Sequence, residues 1–290
     1  MTDYLIYLLV KGIGTIFYIL PYRLALKMGE ALGRLFYHLD KRHRLVALDN
    51  LQKVWGKEKS SRELTQIAQG VFRNLGRSLV EFCRMSKIDE HNIEQFVEIE
   101  GWDNFENAKQ SGKGILITTA HFGNWEMIPQ ALAFKGQPLN SIVRPLDNIY
   151  LDQLVTRIRT GFGSRIIPKK NALRGILRSL RRGENIGILM DQSTASNEAV
   201  LAKFFGYPCY TLTTPVVLAL KTGCRIIPLF ITRCSDNRHK MVIHPPFELI
   251  RSDNYQQDLL TNIQALNDII EQQVTQHPDH WLWIHRRWKF

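Results

Sequence analysis

The stretch Gly114-Ile-Leu-Ile-Thr-Thr-Ala-His121-Phe-Gly-Asn-Trp-Glu126 decides how this chain is read. An apolar run delivers a histidine, and a carboxylate follows five residues later. On a straight α-helix a step of five residues turns about 500°, leaving the two side chains about 140° apart on different faces. If Ile115 to Thr119 is instead a buried strand, the geometry changes. His121 then stands at its carboxyl end, Asn124 caps a helix carrying Glu126 in its first turn, and imidazole and carboxylate can converge. Open α/β sheets hold their active sites at that edge. An imidazole titrates near neutrality and can take a proton from a hydroxyl. A carboxylate beside it fixes the tautomer and favours imidazolium as it forms. His121 and Glu126 are therefore the candidate catalytic pair, against the plainer account of a strand-end histidine and an exposed helix glutamate. The chain has no Gly-x-Ser-x-Gly elbow, so the proton has to come from a substrate.

Outward from this stretch, short apolar runs alternate with amphipathic segments. Strands are expected at Ile115 to Thr119, Asn140 to Val143, Arg165 to Ile167, Ile186 to Met190, Arg225 to Ile231 and Met241 to His244. Helices are expected near 125 to 135, 149 to 160, 171 to 182, 212 to 222 and 256 to 275, with Pro129 breaking the first of them early. Strands alternating with helices predict an α/β fold with a mainly parallel central sheet and helices on both faces. Earlier in the chain, Leu24, Met28, Ala31, Leu35 and Leu39 recur at helical spacing, as do Leu64, Ile67, Val71, Leu75 and Leu79. Each set reads as a packing stripe. Arg144 with Pro145, and Asp191 with Gln192, follow strands in the same topological position as His121, which groups them as a site.

Residues 4 to 20 are apolar, interrupted by Lys11 and stopped by Pro21. As a helix this segment reaches about 25 Å, short of a bilayer core of roughly 30 Å. It spans with local thinning, lies within one leaflet, or is a buried core helix. Arg23, Lys27, Arg34, Lys41, Arg42 and Arg44 crowd the downstream side, which places the body on the cytoplasmic face if the segment inserts. The net charge of +11 favours anionic membranes, phosphorylated lipids, acidic proteins or nucleic acid. No recognisable nucleic-acid module is present. A hydrophobic content of 44% excludes a largely disordered chain. Cys83, Cys209, Cys224 and Cys234 have neither zinc nor disulfide spacing and read as reduced core thiols.

The ordered set His121-Phe-Gly-Asn-Trp-Glu126, Arg144-Pro145-Leu-Asp147-Asn148, Met190-Asp191-Gln192, Phe204-Phe205-Gly206 with Thr213-Thr214-Pro215, and Trp281-Leu-Trp283-Ile-His285-Arg286-Arg287-Trp288-Lys289 resembles the lipid A secondary acyltransferases. These are lauroyl- and myristoyl-type enzymes of the glycerolipid-acyltransferase-like superfamily, and the resemblance covers nearly the whole chain. It implies a membrane anchor or interfacial helix over 1–22 and an acyltransferase domain over 23–290, helical to 100 and α/β from 101. It also implies transfer of a fatty acyl group from an acyl carrier protein thioester to a hydroxyl of a lipid A precursor, on the cytoplasmic side of the bacterial inner membrane. His121 is then the general base and Glu126 its orienting partner. Arg144, Asp191, Asn124 and Gln192 are expected to bind substrate, and Phe122, Trp125 and Phe205 to shape an acyl pocket. No cofactor or metal is expected, since a thioester is already activated. The expected partners are the acyl carrier protein, the lipid A precursor and the anionic membrane, and no nucleic acid. Arg174, Arg178, Arg181 and Arg182, preceded by Lys169 and Lys170, suit an acidic partner or form a solvated face. Two other readings remain: an acyltransferase for another glycolipid, such as a phosphatidylinositol mannoside, and a non-catalytic basic membrane-binding protein.

Overall fold

The computed structural model describes residues 2–168, 172–194 and 198–289. Four helices come first: α1 (Thr2–Ile19), α2 (Tyr22–Leu39), α3 (Lys41–Trp55) and α4 (Ser61–Arg84). Strands and helices then alternate through β1 (Val97–Glu100), α5 (Trp102–Lys109), β2 (Ile115–Thr119), α6 (Ile128–Phe134), β3 (Leu139–Val143), α7 (Ile149–Thr160), β4 (Ile166–Pro168), α8 (Ala172–Arg181) and β5 (Asn185–Leu189). A hairpin follows, β6 (Ala199–Phe204) with β7 (Tyr207–Leu212), and the chain closes through α9 (Thr214–Thr222), β8 (Arg225–Arg233), β9 (His239–Ile243) and α10 (Tyr255–Gln276).

Seven strands form one sheet in the order β1-β9-β8-β2-β5-β3-β4. The five strands from β8 to β4 run parallel, and β9 turns back antiparallel to β8. Every residue of β2 is buried, because the pleat sends alternate side chains to two covered faces. Ile115 and Ile117 join Phe105, Ile128 and Leu132 on one side. Leu116 joins Ile176, Val216, Leu218 and Ile263 on the other. Helices thus lie on both faces, as the strand and helix alternation predicts.

Three parts of the chain differ from the sequence-based expectation. β1 lies before residue 101 yet pairs with β9, so the sheet begins inside the segment expected to be wholly helical. The β6–β7 hairpin lies outside the expected strands; Phe205 and Gly206 both take positive φ, at 50° and 76°, matching the tight turn that joins two right-twisted strands. The third concerns α2. Its packed side consists of Ala25, Leu26, Gly29, Gly33 and Tyr37, whereas Leu24, Met28, Leu35 and Leu39 are exposed, Leu39 to 69%. The expected α2 packing stripe therefore faces outward. Small residues took the inner side because α2 crosses α4 at backbone contact: a Cβ at Gly33 would collide with the Phe72 carbonyl oxygen, and one at Gly76 with that of Gly29. The α4 stripe does pack, with Leu64 and Val71 in the main core, although Leu79 is exposed.

Among the described residues α1 is the one helix long and apolar enough to cross a membrane, and Phe17 is its one buried side chain. It rests against α4 and the start of α7, where Tyr4 meets Tyr150 edge-on, Tyr7 lies tilted against it, and Asn148 donates to the Asp3 carbonyl.

Candidate active site

β2 and β5 are parallel neighbours in a register that sets Thr119 opposite Leu189. Two residues further along each strand, His121 and Asp191 emerge side by side at the carboxyl edge. The His121 ring Nδ1 lies 2.9 Å from Asp191 Oδ1, and the His121 backbone N–H donates to Oδ2 at 3.0 Å. Trp281 completes the cradle, its indole N–H donating to Oδ2 at 2.7 Å. The Asp191 side chain is wholly buried while that of His121 keeps 18% of its surface, so the pair is closed behind and open in front.

Burial alone disfavours charge on both groups, and their mutual attraction outweighs it. Despite its desolvation, Asp191 is held well below the usual carboxylate range by His121 and by the Trp281 donor. His121, equally penalised by burial, sits above its ordinary value because Asp191 and, further off, Glu126 favour the imidazolium. A proton on Nδ1 directed to Asp191 leaves the Nε2 lone pair facing outward, which is the tautomer a base needs. The Gln192 amide nitrogen lies 3.4 Å from that Nε2, and the Trp125 ring meets the imidazole edge-on at 5.1 Å.

The carboxylate hydrogen-bonded to His121 is therefore Asp191, which corrects the expectation that Glu126 orients the ring. Glu126 is instead gripped by both arms of Arg159 from the last turn of α7, with Nε 2.9 Å from Oε2. Asn124 does not cap a helix through its side chain. A 3-10 turn over Trp125–Met127 precedes α6, and the Asn124 amide donates to the buried Glu81 at 2.7 Å. Arg144 stays exposed, paired with Asp147 at 3.1 Å and with no hydrogen bond or ion pair to the histidine cluster among the described residues. Of the three aromatics expected to shape an acyl pocket, only Trp125 lines the cavity of about 10 Å³ beside the site, with Val71, Leu75, Gly123 and Trp281. Phe122 is buried in the core against Phe230 and His280, and Phe205 packs at the hairpin turn on Trp55 and Trp283. Lys169 and Lys170 lie outside the described residues.

Two structural elements hold the loop that carries His121. Glu81 of α4 receives Asn124, Arg233, His239 and the Tyr22 hydroxyl, all within one largely buried cluster. The carboxyl-terminal segment forms the second clamp: Gly123 N–H donates to the His280 carbonyl at 2.9 Å, and Leu282 N–H to that of His121 at 3.0 Å. Gly123 adopts φ +59°, and a Cβ there would collide with the Ile231 carbonyl oxygen, so the turn after His121 lies flush on β8. Trp281 and Trp283 are both fully buried and belong to the main core. Sequence reasoning missed Trp281 and Arg159 as members of the site. The Trp281-Leu-Trp283 spacing was the one available signal for the former, and Arg159 had none. Among the described residues no three His, Cys, Asp or Glu side chains converge as a metal site.

A histidine backed by a buried carboxylate at the carboxyl edge of an α/β sheet has the geometry to take a proton from a substrate hydroxyl. The sequence profile of the bacterial lipid A biosynthesis acyltransferases matches residues 1–290, and the chain belongs to that family. It is similar to the lipid A biosynthesis palmitoleoyltransferase of Escherichia coli, with 27% identity over 272 residues covering 93% of this chain and 86% of the relative. The lauroyltransferase of the same organism is 24% identical over 282 residues, covering 96% and 90%. Among solved structures, the 1-acyl-sn-glycerophosphate acyltransferase of Thermotoga maritima superposes with a TM-score of 0.40 and 12% identity, over 88% of this chain and 99% of that one.

Proposed function

We propose that this acyltransferase moves a fatty acyl group from an acyl carrier protein thioester to a hydroxyl of a lipid A precursor, at the cytoplasmic face of the inner membrane. The observation that supports this reading best is the His121–Asp191 pair at 2.9 Å with the second ring nitrogen facing out. Nε2 takes the proton of the acceptor hydroxyl as its oxygen attacks the thioester carbonyl. Imidazolium forms beside Asp191, which stabilises it across a medium where water is largely excluded. Collapse of the tetrahedral intermediate breaks the carbon–sulfur bond, and the imidazolium returns its proton to the leaving thiolate. No metal or redox step enters this sequence.

Glu126 and Arg159 form the flank of the site nearest α7, and Trp125 lies edge-on to the ring. Arg144, at the carboxyl end of β3, is assigned to a phosphate of the acceptor, because the one partner of its planar fork of donors among the described residues is an exposed aspartate. The exposed arginines Arg174, Arg178 and Arg181 on α8 suit the acidic carrier protein.

Purified enzyme in detergent, given acyl carrier protein thioester and precursor, is expected to yield a product heavier by one acyl group in the mass spectrum. Transfer at the wild-type rate by His121→Ala defeats the mechanism. Transfer from coenzyme A thioesters but never from the carrier protein defeats the donor, and ester formation only on other glycolipids in an acceptor panel defeats the acceptor.

A further inference from the structure

The outward face of α2 is apolar along Leu24, Met28, Leu35 and Leu39, and basic on its flanks at Arg23, Lys27 and Arg34. Its one acidic side chain, Glu30, is shared between Arg34 and Arg77, two guanidiniums on a single carboxylate. Just behind this face, between α2 and α4, opens a cavity of about 100 Å³ lined by Arg34, Tyr37, His38, Gln69 and Arg73. Every one of these side chains can present a hydrogen-bond donor. Arg73 has no carboxylate partner among the described residues. Arg44 adds further positive charge, its guanidinium over the Tyr37 ring at 5.5 Å and its donors on the Tyr37 and His38 carbonyls at 2.9 Å.

The lining is ordered by packing. Tyr37 is buried, with its ring edge-on to Phe72 at 5.5 Å and to His38 at 5.3 Å. Phe72 in turn lies at the close crossing of α2 and α4. A donor-lined hollow with surplus positive charge, opening beside an apolar surface, matches a phosphate tethered to hydrocarbon. We propose that the Arg34, Tyr37, His38, Gln69 and Arg73 cavity binds the phosphate of an anionic lipid. That phosphate comes from a bilayer phospholipid or from the acyl acceptor itself. In the second case the inference rests on the proposed function. The geometry admits both, because Gln69 and Arg73 face this cavity while Val71 and Leu75 of the same helix face the one beside Trp125.

The test uses the full-length protein and compares Arg73→Gln with Arg23→Gln, which removes the same charge from α2 outside the cavity. In flotation with phosphatidylcholine vesicles containing phosphatidylglycerol, Arg73→Gln is expected to weaken binding about fivefold, and clearly more than Arg23→Gln. This arm needs no acyl transfer, so it stands or falls independently of the reaction. In detergent micelles without anionic phospholipid, a raised KM for the acceptor with unchanged kcat identifies the acceptor phosphate as occupant. Unchanged KM with weakened flotation identifies the bilayer lipid. Equal effects of Arg73→Gln and Arg23→Gln in both arms, with unchanged thermal melts, overturn the site and reduce it to diffuse surface charge.

Discussion

Two buried carboxylates reach the same loop from opposite sides, and they serve it differently. Asp191 holds His121, and Glu81 holds Asn124 three residues on. Around Asp191 the donors are an indole, a backbone amide and an imidazole that can lose its proton. Around Glu81 they include the Arg233 guanidinium, which never does. Asp191 therefore backs a charge that comes and goes at an open edge, while Glu81 is locked into a permanent ion pair in the interior. Burial alone does not separate these two carboxylates; the titration of the partner and the access of that partner to solvent do.

The largest effect that sharpens this contrast is on turnover. His121→Ala is expected to lower kcat of the folded fraction by about 10⁴-fold, since general-base removal costs up to that order. Asp191→Asn follows at about 10³-fold. It also removes what raises the His121 pKa, so the acid limb of the pH–rate profile moves to lower pH. A profile that keeps its limb in place refutes Asp191 as the controlling partner.

Glu81→Gln acts on stability instead. It leaves Arg233 charged and buried, which costs about 3 kcal/mol or more and is read as a lowered Tm, with kcat of the folded fraction changed far less. If kcat collapses while Tm holds, the two clusters are not distinct in role. pH separates them as well. The folded-state pKa of Glu81 is depressed below its usual 4.5, so the stability it lends is present above that value and is lost as pH falls toward the folded one. That of His121 is raised above 6.5, so its contribution is present below 6.5 and is lost as pH rises through the folded value. The smallest effect is that of Trp281→Phe, about tenfold in kcat, from one buried donor removed. Asp191 is then less satisfied and holds the imidazolium more tightly, so the acid limb moves to higher pH, opposite to Asp191→Asn. A tenfold loss without that displacement indicates packing alone.

Where the chain advertises a period or a strand end, the sequence is a good guide. β2 falls at Ile115 to Thr119 and α7 at Ile149 to Thr160, both as expected, because buried strands and capped amphipathic helices carry their signal locally. The partner of His121 was not legible for a different reason. Glu126 is five residues away in sequence and Asp191 seventy, and only the adjacency of β2 and β5 in the sheet brings the second one close. Strand order is a property of the whole fold. The α2 and α4 stripes share one spacing, yet one is buried and the other faces out: periodicity reports that a helix has two faces and says nothing of what covers either. The β6–β7 hairpin escaped because its turn is made by Phe205, a residue seldom found at positive φ.

The glycine crossing has a mechanical outcome. Where Gly29, Gly33 and Gly76 bring the backbones of α2 and α4 into contact, the two helices make one plate: its outer surface carries the apolar ridge, and its inner surface walls the hollow next to Trp125. On the proposal that this ridge meets a lipid surface, docking it would fix the height of the imidazole above the hydrocarbon at the same moment. The distance an acceptor hydroxyl must then cover would be set by helix thickness and not by a flexible tether.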